Sequence, residues 1–195
     1  MTPAQISARL LLSFGLSLTV TSSAGVRLAH ADDPCAAFTW DVRHERALFG
    51  SKLQVLTGGQ TLAASPTLAA DRLYQVKLRP QSEVTFLQPP GRKRGDGASF
   101  AGLARLTVET AGVYRVSLEQ PLWVDVIANG TLVPAKDFQG RPGCNAPHKI
   151  VEFTLPAQVP ITLQFSSGGV STVKVTVTRS PAATSSRFRD APPIC

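Results

Sequence analysis

Val173, Val175 and Val177, set against Thr172, Lys174, Thr176 and Thr178, limit what this chain can fold into more than any other feature. β-branched side chains at every second position crowd a helix but suit a pleated strand with one buried and one polar face. The same period recurs at Tyr74, Val76 and Leu78, at Val84 and Phe86, at Val151, Phe153 and Leu155, and at Val159, Ile161, Leu163 and Phe165. Several one-sided strands must bury their apolar faces against each other, so the expected fold is all-β: an antiparallel, jelly-roll-like β-sandwich.

One hairpin can be placed in register. Strand 113–118 is expected to meet strand 122–127 across Glu119-Gln120-Pro121. That loop puts Tyr114 opposite Val126, Val116 opposite Val124 and Leu118 opposite Leu122. The other face then carries Arg115 opposite Asp125 and Ser117 opposite Trp123. Asn129-Gly130 predicts a tight turn into Thr131-Leu132-Val133. A single short helix is expected at 41–49, with Asp41 at its start, Gly50 at its stop, and Val42, Arg46 and Phe49 on one side. Flexible connections are expected at 58–70, 89–99 and 140–147.

The first 31 residues read as a secretory signal peptide. Arg9 supplies the positive start, Leu10 to Val20 the apolar centre, and Ala29-His30-Ala31 the small-residue cleavage pattern. The apolar run is shorter than the roughly 20 residues a bilayer span needs, so no transmembrane segment is expected after its removal. The remaining chain is expected to be one domain at 32–179 followed by a disordered tail at 180–195. The leader carries Arg9, Arg27 and no acidic residue, so its loss takes the formal charge from +7 to +5. That mild excess attracts anions without selecting among them, and no stripe of Lys and Arg points to nucleic acid. The expected location is the periplasm or the extracellular medium.

Cys35, Cys144 and Cys195 all lie after the leader. In an oxidising compartment one pair is expected to bond, and Cys35 with Cys144 is the favoured pairing because Cys195 ends the tail. Cys195 is then left free or available to a second molecule. The absence of C-x-x-C removes the usual spacing for redox catalysis and structural zinc.

The run Ala111-Gly112-Val113-Tyr114-Arg115-Val116-Ser117, followed by Trp123-Val124-Asp125-Val126, resembles the A-G-x-Y strand pair of bacterial pre-peptidase C-terminal and related jelly-roll modules. The resemblance covers less than a quarter of the chain. It implies a secreted β-sandwich of the kind that serves as an accessory or binding module. The acidic loop clusters that would hold calcium in such modules have no counterpart here.

Three candidate sites follow. Trp123, with Arg115, Ser117 and Asp125 beside it on the outward face of the hairpin, offers an aromatic and polar patch for a sugar ring or a protein partner. His44 and Glu45, near Asp41 on one helix face, together with His148 form a donor set for zinc or iron if the Cys35–Cys144 bridge draws them together. Arg92, Lys93 and Arg94 form a basic loop suited to phosphate head groups or an acidic protein. Arg94-Gly95-Asp96 also matches an integrin-recognition tripeptide, and Asn129-Gly130-Thr131 a glycosylation sequon.

Catalytic patterns are missing: there is no G-x-S-x-G elbow, no Walker loop and no paired carboxylates at a recognisable spacing. The expected function is therefore non-enzymatic binding of a glycan or an envelope protein, with no resident cofactor. The alternatives are a small metal-dependent enzyme at His44, Glu45 and His148, and an inhibitor or structural partner of an envelope protein.

Overall fold

The computed structural model describes residues 33–92 and 99–181. The leader expected at 1–31, Lys93 and Arg94 of the basic loop, and Cys195 in the tail lie outside the described residues.

Two sheets stack face to face. The first contains, in spatial order, β1 (Leu53–Thr57), β3 (Leu73–Lys77), β12 (Thr172–Arg179), β6 (Gly112–Leu118), β10 (Lys149–Leu155) and β9 (Ala135–Gly140). The second contains β2 (Thr67–Leu68), β5 (Phe100–Leu106), β11 (Ile161–Gly168), β7 (Trp123–Ala128) and β8 (Thr131–Val133), with β4 (Arg79–Pro80) on β5. Pairing is antiparallel except at two edges, where β1–β3 and β2–β5 run parallel. The all-β sandwich with one short helix is therefore present, with sheets of mixed orientation rather than purely antiparallel ones.

The core lies between the sheets. Val116, Leu118, Val151, Phe153, Val173, Val175 and Val177 from the first sheet meet Val124, Val126, Ile161, Leu163 and Phe165 from the second. These are the alternating positions on which the sandwich was expected. The Asn129-Gly130 turn is also as expected: both residues have positive φ, 49° and 77°, and Val126 pairs with Val133 across the two-residue loop.

The hairpin of β6 with β7 does not form. β6 pairs with β10 and β12 in the first sheet, and β7 pairs with β11 and β8 in the second. Tyr114 stands opposite Phe153, not Val126. Glu119-Gln120-Pro121 is a corner that carries the chain from one sheet to the other. Alternation is satisfied equally by pairing within a sheet and by stacking between sheets, and the chain takes the second route. Near this strand's start, the Tyr114 hydroxyl donates to the Thr110 carbonyl at 2.8 Å, the tie made by the tyrosine corner of β-sandwiches.

Val84 and Phe86 do not form a strand either. Residues 84–92 run over the outer face of the second sheet. There Val84 packs with Ala101 and Leu103, and Phe86 and Leu87 close over them as a second small core. Buried Gln164 on β11 holds this segment: its Oε1 accepts from the Leu87 backbone N–H at 3.1 Å and its Nε2 donates to the Gln88 carbonyl at 2.9 Å. The connection at 58–70 is also more structured than expected, since it includes β2 and a bridge between Gly59 and Leu103.

The helix, α1 (Arg43–Phe49), lies on the outer face of the first sheet. Asp41 precedes it and accepts from the Arg43 backbone N–H at 3.1 Å, and Gly50 ends it. Its buried residue is Glu45, with Val42 buried at the N-cap just before it, while Arg46 is exposed. The inward face is set by a charge meeting rather than by the apolar pattern. Cys35 and Cys144 are joined, with sulfurs 2.06 Å apart, and so tie the segment before α1 to the turn before β10.

Candidate ligand groove at Trp123

The expected patch splits in two because β6 and β7 belong to different sheets. Arg115 and Ser117 are on the outer face of the first sheet, under α1. Trp123 and Asp125 are on the second sheet.

Arg115 is 5% exposed. Its Nε donates to Glu152 Oε1 at 3.0 Å, and its Nη1 donates to the Asp41 carbonyl at 2.7 Å and to Glu45 Oε1 at 3.3 Å. Trp40 covers the guanidinium, with the ring centre 4.9 Å away. Glu45 also accepts from the Thr178 hydroxyl at 2.8 Å. Arg115 is thus a lock between helix and sheet. The Ser117 hydroxyl is buried beside it with no hydrogen-bond partner among the described residues. Neither is free to meet a ligand at Trp123. An 830 Å³ concavity lies beside this lock, lined by Trp40, Arg115, Lys136, Glu152 and Arg179. Its central charges are already paired, since Glu152 also faces Lys136 at 3.8 Å.

The three metal candidates go separate ways. His44 Nε2 lies 2.7 Å from Asp71 Oδ1 at the surface. Glu45 is committed to Arg115 and Thr178, and His148 lines the groove described next. No group of three or more His, Cys, Asp or Glu side chains among the described residues is arranged to hold a metal ion. The surface contact of His44 with Asp71 and the buried Glu45–Arg115 pair use two of the three donors that the spacing alone offered to a metal, and His148 lies apart from both.

Trp123 and Asp125 do form a built site. Trp123 Nε1 donates to Asp125 Oδ1 at 2.7 Å, and Asp125 Oδ2 accepts from the Gly91 backbone N–H at 3.1 Å. The segment held by Gln164 therefore also fixes the indole. From the first sheet, Lys149 reaches across with its Nζ 5.0 Å from the centre of the Trp123 ring and 3.3 Å from the Leu122 carbonyl. Burial holds the Lys149 ammonium below its usual range; Arg92 adds to the effect and Asp125 opposes it.

Around this contact a groove of about 610 Å³ opens along the seam between β7 and the β10–β9 edge. Leu122, Val124, Val151 and Phe138 give it an apolar wall; Arg92, His148 and Lys149 also line it. Phe138 is 66% exposed, unusual for a large apolar side chain. Arg92, from the expected basic loop, is exposed at the rim. Sequence reasoning found Trp123, Asp125, Arg92 and His148 but missed Lys149 and Phe138. Lys149 at an apolar-parity position of a strand (Lys149, Val151, Phe153) was the available signal.

Compared with known proteins, the chain matches no protein-family model, and no curated protein matches it.

Proposed function

We propose that this chain is an exported, non-enzymatic β-sandwich that binds a small ligand in the inter-sheet groove at Trp123. The observation that carries the reading is the groove itself. It has the volume and apolar lining of a small-molecule site, with a few polar groups at fixed positions. Export is supported by the leader-like first 31 residues and by the bonded Cys35–Cys144 pair, since disulfides persist in oxidising compartments. The jelly-roll resemblance at Ala111 to Val126 agrees with a secreted binding module.

An extended glycan or a broad protein surface fits less well. The indole N–H is already spent on Asp125, and an ammonium stands over its ring. What Trp123 still offers is apolar surface inside a cleft, which suits a compact apolar group.

The test is titration of the purified protein with an uncharged apolar fluorophore, N-phenyl-1-naphthylamine. Saturable binding is expected, and Trp123→Ala should weaken it at least tenfold, about 1.4 kcal/mol, with an unchanged circular dichroism spectrum. No saturable binding, or equal binding by the variant, would remove the groove as the ligand site.

A further inference from the structure

The polarity of the groove is graded along its length, and the strand register shows the order. On β10 the side chains facing the second sheet are Lys149, Val151 and Phe153. Their partners on β9 are Gly140, Phe138 and Ala135 respectively. The groove therefore passes from a cationic level at Lys149 to an apolar level at Val151 and Phe138, and on to Ala135. At roughly 3.4 Å per residue this course is about 14 Å long.

Among the described residues, no carboxylate is in contact with the cationic end, and the nearby Asp125 acts on Lys149 only at a distance. Lys149 has three N–H donors, of which one reaches the Leu122 carbonyl. Among the described residues it makes no ion pair, and neither does Arg92. Asp125, the carboxylate beside them, has both oxygens engaged, by the Trp123 indole and the Gly91 backbone. An ammonium held part-way out of water with no carboxylate in direct contact costs stability, and such a group gains from a charge-assisted hydrogen bond to an anionic ligand.

Building on the groove reading, we infer that its ligand is a monomeric anionic amphiphile, with the acidic head at Lys149 and Arg92 and the aliphatic body along Leu122, Val124, Val151 and Phe138. The head replaces water around Lys149 with a charge-assisted hydrogen bond. The body covers the one large aromatic side chain that the β9 edge leaves in solvent.

The test uses three amphiphiles built on a twelve-carbon chain, below their micellar concentrations, competing with N-phenyl-1-naphthylamine. Dodecanoate is expected to displace the probe at a concentration at least tenfold lower than dodecanol, and dodecyltrimethylammonium to be weaker than both. Lys149→Met should reduce the preference for dodecanoate over dodecanol to about twofold or less, whereas Lys52→Met, at an exposed position before β1, should retain it. Circular dichroism melting establishes that both variants are folded. Equal displacement by the acid and the alcohol, or a preference that survives Lys149→Met, would overturn the inference while leaving the groove reading intact. A probe that does not bind at all would defeat the groove reading itself. Displacement by phosphatidylglycerol vesicles but not by free dodecanoate would overturn the monomeric ligand in favour of a bilayer.

Discussion

Lys149 and Trp123 belong to different sheets and meet across the seam of the sandwich, the ammonium 5.0 Å from the indole centre. The contact has two opposing consequences for stability. Ammonium over indole is favourable by about 0.5–1 kcal/mol at a partly exposed site. Withdrawing the ammonium from water is unfavourable, and this effect lowers its pKa from the ordinary 10.5. A lysine with a lowered folded pKa destabilises the fold while charged in both states. That penalty is full below the folded value and fades as pH rises through it towards 10.5. Lys149→Met is therefore expected to match or exceed the parent protein in stability at pH 7, by under about 1 kcal/mol. Its advantage should shrink as pH approaches 10. Urea denaturation at both pH values measures this, and an advantage that grows with pH would contradict it.

Gly91 is the point at which the covering segment touches the indole. A Cβ there would stand 2.8 Å from Trp123 Nε1 and 2.9 Å from Asp125 Oδ1, closer than such atoms approach. Gly91→Ala is expected to push the ring off Asp125 and break the 2.7 Å bond, while the cores on either side of the second sheet stay packed. The cost should be about 1–3 kcal/mol, as for other overpacked sites. Tryptophan emission should shift and probe affinity should fall. An unchanged emission spectrum would mean that the segment does not fix the indole.

Arg115 joins the helix to the first sheet through Glu45 and Glu152. Both carboxylates are almost fully buried, at 1% and 6% exposure. Arg115→Met leaves buried Glu45 with no cation and Glu152 with only the exposed Lys136 at 3.8 Å, and is expected to cost about 3–5 kcal/mol. Adding Glu45→Gln to that variant should recover part of the loss, because it removes one orphaned charge. Guanidinium denaturation of the single and double variants gives the coupling directly. A single-variant cost below about 1 kcal/mol would show that the lock is not what seats the helix.

What could be read from the sequence follows a physical division between local and long-range information. Val173, Val175 and Val177 declare a strand and its buried face, Asn129-Gly130 declares a turn, and Gly50 declares the end of a helix, because each depends on neighbouring residues only. Strand partnership does not. Val116 and Val124 share the core whether β6 and β7 pair or stack, so the expected hairpin and the outward patch built on it were one of two equivalent solutions. β5 went unseen because Phe100 to Leu106 carries Ala101, Gly102 and Leu103 buried in succession, covered on both faces with no alternation to betray it. Gly102 is there for a reason that only the fold reveals: a Cβ would lie 3.3 Å from the Gly58 Cα. The groove is long-range by nature. It joins β7 to β10 and β9, so Trp123 was legible as a candidate while Lys149 and Phe138, its neighbours across the seam, were not.

Gly130 allows a clean test of turn chemistry. Its φ is +77°, and no atom lies within 4 Å of where a Cβ would stand. Gly130→Ala should therefore cost only the left-handed backbone penalty, about 1–2 kcal/mol, with no packing contribution. Thermal melting measures it. A loss well above that range would mean that the β7–β8 turn carries more of the fold than its own conformation.

The Cys35–Cys144 bond spans 109 residues of sequence and ties the segment before α1 to the start of β10. Closing so long a loop removes many conformations from the unfolded chain, worth about 4–5 kcal/mol in the chain-entropy account. Replacing both cysteines by serine should lower stability by up to that amount, more than any single prediction above except Arg115→Met. The bond also anchors the chain immediately before Lys149, because the turn from Arg141 to His148 lies between β9 and β10. The double-serine variant should therefore lose some probe affinity even at temperatures where it remains folded, through a looser Lys149 end of the groove. Urea denaturation gives the stability, and probe titration at 10 °C gives the affinity. A variant that loses stability but keeps full affinity would show that the groove is held by the sheets alone.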